Sequence, residues 1–394
     1  MKNKIIFLIL TIFSLTGCYN YRELNTLAIM SAVGIDKKDG KYQVTIQVIN
    51  TQQGDENGSL NEQTKFITYK TEGDTLQEAL RKVVLESPKR LYGNHLELLV
   101  IGEEYAKEGI GGIFDFFMRN LESRKQFTVV LARDTTAQDV LEVLTPLETT
   151  NAKNILSSIE VDSQYYGSSQ EILFEKLVQT YLNNKKDIII PSIEVIGEED
   201  IGENLENLKE SNPETKLVLS NMAILKKDKL VGYLNEEESK ISSILANESN
   251  VMIINCECDN NKYITIQTTK AIADISPIKN ELKVKIKINL EGNISEIHCN
   301  MDLNNPKVIS DIEKMYEEKI KQLVSQTLNK INIEYNSDTL GLLDIIYKSN
   351  PKYYYQIKDK WYEENLKNIE FDINVNVTLK GKGNAVTVIP NEKD

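Results

Sequence analysis

The chain has 394 residues, of which 41% are hydrophobic and 27% charged, and it carries a formal net charge of −13. That length allows two or three domains with sizeable cores, and the ordinary apolar content separates it from disordered sequence. So acidic a chain is a poor ligand for nucleic acid, and its 2 histidines leave little general-base chemistry near neutral pH.

The chain opens with a basic start, Met1-Lys2-Asn3-Lys4, and an apolar run from Ile5 to Thr16. The run is too short for the roughly 20 residues of a membrane-spanning helix, so it reads as a signal peptide over 1–17. Leu15-Thr16-Gly17-Cys18 has the form of a lipobox. Cleavage ahead of Cys18 would make it the mature N-terminus, with a diacylglyceryl group thioether-linked to its thiol. The competing reading is an ordinary signal peptide followed by a chance cysteine. Losing Lys2 and Lys4 with the signal takes the charge from −13 to −15, so attachment to a membrane must rest on the lipid. No other cofactor is expected.

Leu27 to Asp36 and the alternating Tyr42, Val44, Ile46 and Val48 predict a hairpin across Asp39-Gly40. Thr51 to Thr64 reads as a polar loop before a strand at Lys65 to Thr71. Thr75-Leu76-Gln77-Glu78 is a capping box that starts a helix, and Pro88 stops it. Strands are expected at Leu96 to Gly102 and Phe127 to Ala132 with a helix between them. Helices at Thr136 to Leu144 and Ser169 to Leu182 and a strand at Asp187 to Val195 follow. Residues 18–197 thus form an N-terminal mixed α/β domain, and the acidic, Asn-rich 198–216 reads as a linker. Residues 217–255 read as a small middle domain, with a hairpin of Leu217 to Leu225 and Leu230 to Leu234 and a helix at Glu236 to Ala246. Residues 256–394 form a C-terminal α+β domain: Val251 to Cys258, Tyr263 to Ala273 and Leu282 to Leu290 are successive antiparallel strands. A long helix over 306–332 starts at Asn305-Pro306 with an apolar stripe through Ile312, Met315, Ile320 and Leu323, its other face carrying Glu313 and Glu317. Shorter helices and a last strand, Ile369 to Leu379, complete a multidomain α+β chain rich in antiparallel sheet.

With these elements placed, the chain resembles the Ger(x)C family, the lipoprotein C subunits of spore germinant receptors in spore-forming Gram-positive bacteria. Three stretches carry the resemblance. The first is Gly17-Cys18-Tyr19-Asn20-Tyr21-Arg22-Glu23-Leu24-Asn25 leading to Gly34-Ile35-Asp36. The second is Leu219-Ser220-Asn221-Met222-Ala223, continuing through Asp228 to Leu234 and on to Glu237-Glu238. The third is Gly292 to Ile297, then Asp338-Thr339-Leu340-Gly341 and the segment from Asn350-Pro351-Lys352 to Trp361. Tyr19 stands where the family usually has Trp, and leucines replace its aromatic-glycine signature near Gly341. The resemblance implies three mixed α/β domains on the outer face of the spore inner membrane and assembly with two integral-membrane receptor subunits. It carries over no catalytic residue.

The residues themselves show no zinc-protease, nucleophile-elbow or P-loop motif. His95 and Glu97 read as an ion pair on one strand face. Cys256, Cys258, His298 and Cys299 have metal-ligand chemistry, but their spacing is unlike a zinc knuckle, so buried thiols are expected and no metal. At most one disulfide can form among the three cysteines left after lipidation, Cys256 or Cys258 with Cys299. The expected function is that of a lipid-anchored, non-enzymatic receptor subunit; the alternative is a free-standing lipoprotein that binds a solute or metal. Arg22 and Glu23 after the anchor, with Asn221 and Glu237, are the candidate partner contacts. Asn221 has the competing reading of a turn residue, and Glu237 that of a helix cap.

Overall fold

The computed structural model describes residues 26–50, 64–120 and 124–381. Cys18, Arg22, Glu23 and nearly all of the expected 51–64 loop lie outside them.

β1 (Leu27–Lys38) and β2 (Lys41–Ile49) form the expected hairpin, with Asp39 and Gly40 at φ of 52° and 79°, the left-handed pair that a two-residue turn requires. β3 (Phe66–Gly73) adds antiparallel to β2. α1 (Leu76–Lys82) starts at the expected cap, where Thr75 Oγ1 accepts from Glu78 N at 3.1 Å. The box is shifted, since the Glu78 carboxylate accepts from Asp74 N at 3.0 Å. β4 (Arg90–Tyr92) and β5 (Leu98–Ile101) both pair parallel with β1. α2 (Glu103–Glu108) and α3 (Gly111–Arg119) lead into β6 (Thr128–Ala132), parallel to β5. α4 (Ala137–Glu142), α5 (Asn151–Tyr165) and α6 (Phe174–Asn183) precede β7 (Ile188–Ile196).

The acidic segment 198–216 is folded, which corrects its reading as a linker. It forms α7 (Glu199–Gly202) and a 3₁₀ turn, Leu205–Leu208. Buried Asn207 pins it: its amide donates to Leu144 O at 3.2 Å and Thr215 O at 3.0 Å and accepts from Thr215 N at 3.1 Å. The segment delivers β8 (Lys216–Lys226) antiparallel to β7, and β9 (Lys229–Tyr233) closes the hairpin. Both strands complete one nine-stranded sheet, ordered β3-β2-β1-β5-β6-β7-β8-β9 with β4 beside β1. A separate middle domain over 217–255 is therefore not formed. The reason is in the strand itself: Met222, Ala223, Ile224 and Leu225 are consecutive and all buried, so both faces need cover that an isolated hairpin lacks.

α8 (Glu236–Leu245) contributes Ile241, Ile244 and Leu245 to a second core. There β10 (Ile253–Asp259), β11 (Lys262–Pro277) and β12 (Lys283–Ile297) run in antiparallel succession. α9 (Pro306–Asn329) is capped by Asn305 and buries Ile312, Tyr316, Ile320, Leu323 and Leu328. It ends earlier than expected, in a wider π turn, Lys330–Glu334, whose Ile331 packs with Met222 and Ile224 of the first sheet and with Leu234 just beyond it. α10 (Leu342–Ser349) and α11 (Pro351–Ile357) then lead to β13 (Glu370–Gly381), which returns parallel to β12. Glu313 and Glu317, expected on the solvent face of the long helix, accept instead from Leu379 N at 2.9 Å and Val377 N at 3.1 Å.

Cys258 and Cys299 form a disulfide with Cα atoms 6.4 Å apart, while Cys256 is a buried free thiol whose pKa burial pushes up to about 11. The default of three buried thiols thus holds only for Cys256. Closing a loop with a sequence separation of 41 should stabilise the fold by about 4 kcal/mol in the chain-entropy picture. Urea unfolding of the Cys258→Ser variant is expected to show a loss of that order, and an unchanged midpoint would mean that the bridge does not contribute.

Candidate functional site

The matched motifs are used first for joining one element to another. Asp36, at the end of Gly34-Ile35-Asp36, is buried, and its carboxylate accepts from Ala137 N at 2.9 Å and Gln138 N at 3.1 Å. These are orphan donors at the start of α4, so a side chain on β1 caps a helix distant in sequence. Burial raises the Asp36 pKa to about 6 despite those two bonds, which pull it down. A Cβ on Gly34 would lie 3.0 Å from Ala137 O, and one on Gly102 would lie 2.0 Å from Asp36 Oδ1. Both glycines are there to admit this contact.

The second matched stretch builds the rim between the two sheets. Arg133 donates to Ser220 Oγ at 3.0 Å, approaches Glu194 at 3.3 Å and stacks 4.5 Å from the centre of the Tyr233 ring. Tyr335 donates its hydroxyl to Tyr233 O at 2.8 Å, and a Cβ on Gly232 would come within 2.4 Å of the Tyr335 ring. The Asn221 carbonyl accepts from the Ser192 hydroxyl, inside the sheet. Glu237 pairs with Lys319 of α9 at 3.3 Å, and Glu238 pairs with Lys330 at 2.8 Å while completing a capping box with Asn235. The structure thus places Asn221 and Glu237 near one junction; Asn221 bonds within the chain through its backbone carbonyl, and Glu237 through its side chain.

The third stretch supplies the deepest polar joint. Asp187, at the foot of β7, accepts from Lys227 N at 2.8 Å, Ser337 Oγ at 3.1 Å, Asp338 N at 2.7 Å and Tyr362 OH at 3.1 Å. Its own N–H donates to Asp338 O at 2.8 Å. Asp338 in turn accepts from Leu342 N at 2.7 Å, Leu343 N at 3.1 Å and Trp361 Nε1 at 3.2 Å. Both aspartates are buried, and burial raises the Asp338 pKa to about 6. Asp338 and Trp361 belong to the stretch that the sequence singled out. Asp187 does not, because an Asp before a run of isoleucines looks like any strand start.

Other expectations fare differently. His95 lies in a 3₁₀ turn, exposed and 5.7 Å from the Tyr92 ring, so it does not share a strand face with Glu97. His298 pairs with Glu296 at 2.7 Å. Among the described residues no group of three or more His, Cys, Asp or Glu side chains could hold a metal ion, and no helix is long and apolar enough to cross a membrane. A groove of about 700 Å³ runs between α1 and α3, lined by Tyr42, Asp74, Arg81, Asp115, Phe116 and Arg119. Its acidic Asp115 is already engaged by Arg119 at 2.8 Å.

Two family models match the chain in tandem: spore germination protein N-terminal domain over residues 20–195, and spore germination B3/GerAC like, C-terminal, over residues 220–383. Spore germination protein KC of Bacillus subtilis is 28% identical, covering 96% of this chain and 95% of that protein. Spore germination protein GerQC of Bacillus cereus is 23% identical, covering 97% of this chain and 99% of its own length. The crystal structure of the GerBC protein superimposes with a TM-score of 0.57 at 18% identity, over 88% of this chain and 96% of that one, and so shares its fold. Together the paired domain models and the end-to-end relatives show that the chain belongs to the Ger(x)C family of spore germination proteins.

Proposed function

We propose that the chain is a lipid-anchored, non-enzymatic subunit of a spore germinant receptor, held by a diacylglyceryl group on Cys18 to the outer face of the spore inner membrane. It works by contact with two membrane-embedded partner subunits, and nutrient-triggered germination needs that assembly. The observation that carries the reading is the tandem match of both family models along a chain that also begins with a lipobox. The site chemistry supports it. The two aspartates pushed furthest from their ordinary pKa, Asp36 and Asp338, each accept two or more N–H groups of their own chain, which is the work of a scaffold.

Since the Glu237 side chain is already paired with Lys319, Arg22 and Glu23 beside the anchor, with Asn221, are the stronger candidates for partner contact. Charge reversal should weaken a rim contact while the folded domain keeps its melting temperature. Arg22→Glu with Glu23→Lys is expected to lower both the amount of partner subunits recovered with the protein from spore membranes and the rate of the nutrient response. If both stay at the unaltered level, docking beside the anchor is wrong.

A further inference from the structure

We infer that one end of the nine-stranded sheet, the turn from the end of α1 to β4, rests on the bilayer itself and seats Val84 and Leu85 among anionic headgroups. The inference rests on the lipid-anchor reading above and adds an orientation to it.

β1, β4, β5 and β6 are parallel, so their first residues share one end of the domain. Leu27, where the chain enters from the anchor, lies opposite Arg90. α1 and α3 follow the far ends of β3 and β5 and run back to this same end, where Arg81, Val84, Arg90, Phe116 and Asn120 line one depression. Leu85 is 81% exposed, Val84 59% and Met118 50%. These aliphatic side chains have no cover in the described residues, and Lys89 and Arg90 flank them, outnumbering the one acidic neighbour Glu86, in a chain whose net charge is −13. Aliphatic tips beside basic side chains form the pattern that settles at a headgroup boundary and favours anionic lipid.

Tether length makes the bilayer the fitting occupant. Only Tyr19 to Thr26 separate the lipid-bearing Cys18 from β1, a span of at most about 28 Å when fully extended. The opposite end of the sheet, at Lys38, lies a further 12 residues along β1, about 36 Å away. Anchoring therefore keeps the Val84–Leu85 turn within reach of the surface, and with that turn seated the Asp39-Gly40 turn stands clear of it. The overall acidity of the chain adds to this orientation by repelling the rest of the molecule from anionic lipid.

The test places a tryptophan at each end of the full, lipidated chain, reconstituted in vesicles of phosphatidylglycerol and dibrominated phosphatidylcholine. The native Trp361 is buried and gives a common background. Fluorescence of Leu85→Trp should be quenched by the bromolipid and shifted to the blue, while Lys38→Trp should be indifferent to it. In the same vesicles without phosphatidylglycerol, quenching of Leu85→Trp should fall severalfold. Leu85→Trp left unquenched in a chain that floats with the vesicles overturns the inference but leaves the anchor standing. A blue shift without quenching that appears only when membrane-embedded partner subunits are added assigns this end to a protein contact and overturns it equally. A chain that fails to float at all refutes the anchor reading, and the inference with it. Unchanged circular dichroism and melting of Leu85→Trp exclude misfolding as the cause, since the side chain it replaces is exposed.

Discussion

Cys18→Ala is expected to abolish stable membrane attachment and, with it, germination activity, leaving an unprocessed precursor or a released protein of unchanged fold. Two acyl chains contribute about 0.8 kcal/mol per buried CH₂, whereas a single acyl chain binds only marginally, so partition should fall by at least about a hundredfold. No compensating span exists among the described residues, since none of their helices could cross a bilayer. Labelling with a radioactive fatty acid, followed by fractionation, reads the result directly. Label retained in the Cys18→Ala chain would sink the anchor. A released variant that restored full response to spores lacking the protein would count against the whole anchored mechanism.

Asp187→Ala should be the most damaging single change in the described fold. It strips acceptors from Lys227 N, Ser337 Oγ, Asp338 N and Tyr362 OH at once, and each buried donor left unmade costs about 1–3 kcal/mol. Relaxation and entering water recover part of this, so a net loss of about 3–5 kcal/mol is expected in urea unfolding. Because three of the four lost bonds cross from the first sheet to the C-terminal half, protease sensitivity should rise between 330 and 345 before either core melts. A variant that melts with the unaltered chain would show the joint to be incidental. Its neighbour gives a second readout. Asp338 has a pKa raised to about 6, so the folded state holds its proton more tightly than the unfolded chain does. That contribution is fully present below about pH 4 and is lost as pH rises through about 6. Asp36, also raised to about 6, acts in the same direction. Stability should therefore increase by on the order of 1 kcal/mol per group from pH 7 to pH 5, and Asp338→Asn should remove about half of that slope.

The sequence announced local order well and long-range docking poorly. The Asp39-Gly40 hairpin, the Thr75 cap and the Asn305-Pro306 helix start all follow from residues next to one another, and all are found. α5 escaped notice because only Ala152, Ile155 and Ile159 form its buried stripe, narrower than an amphipathic signal requires, although Thr150 is a proper cap. The segment 198–216 read as a linker because its charges are visible in sequence while the bonds of Asn207 to Leu144 and Thr215 are not. The same limit applies to the site. Asp338 and Trp361 stood out through the family resemblance, yet their partner Asp187 lies about 150 residues away with no local pattern to mark it.

The carboxylates of Glu313 and Glu317 occupy alternate N–H groups along the outer side of β13. A strand with open N–H groups on a sheet border invites another chain to add to it. Two acidic side chains in those positions refuse a newcomer by filling the hydrogen-bond sites it would use. The long helix therefore covers the open border of its own sheet.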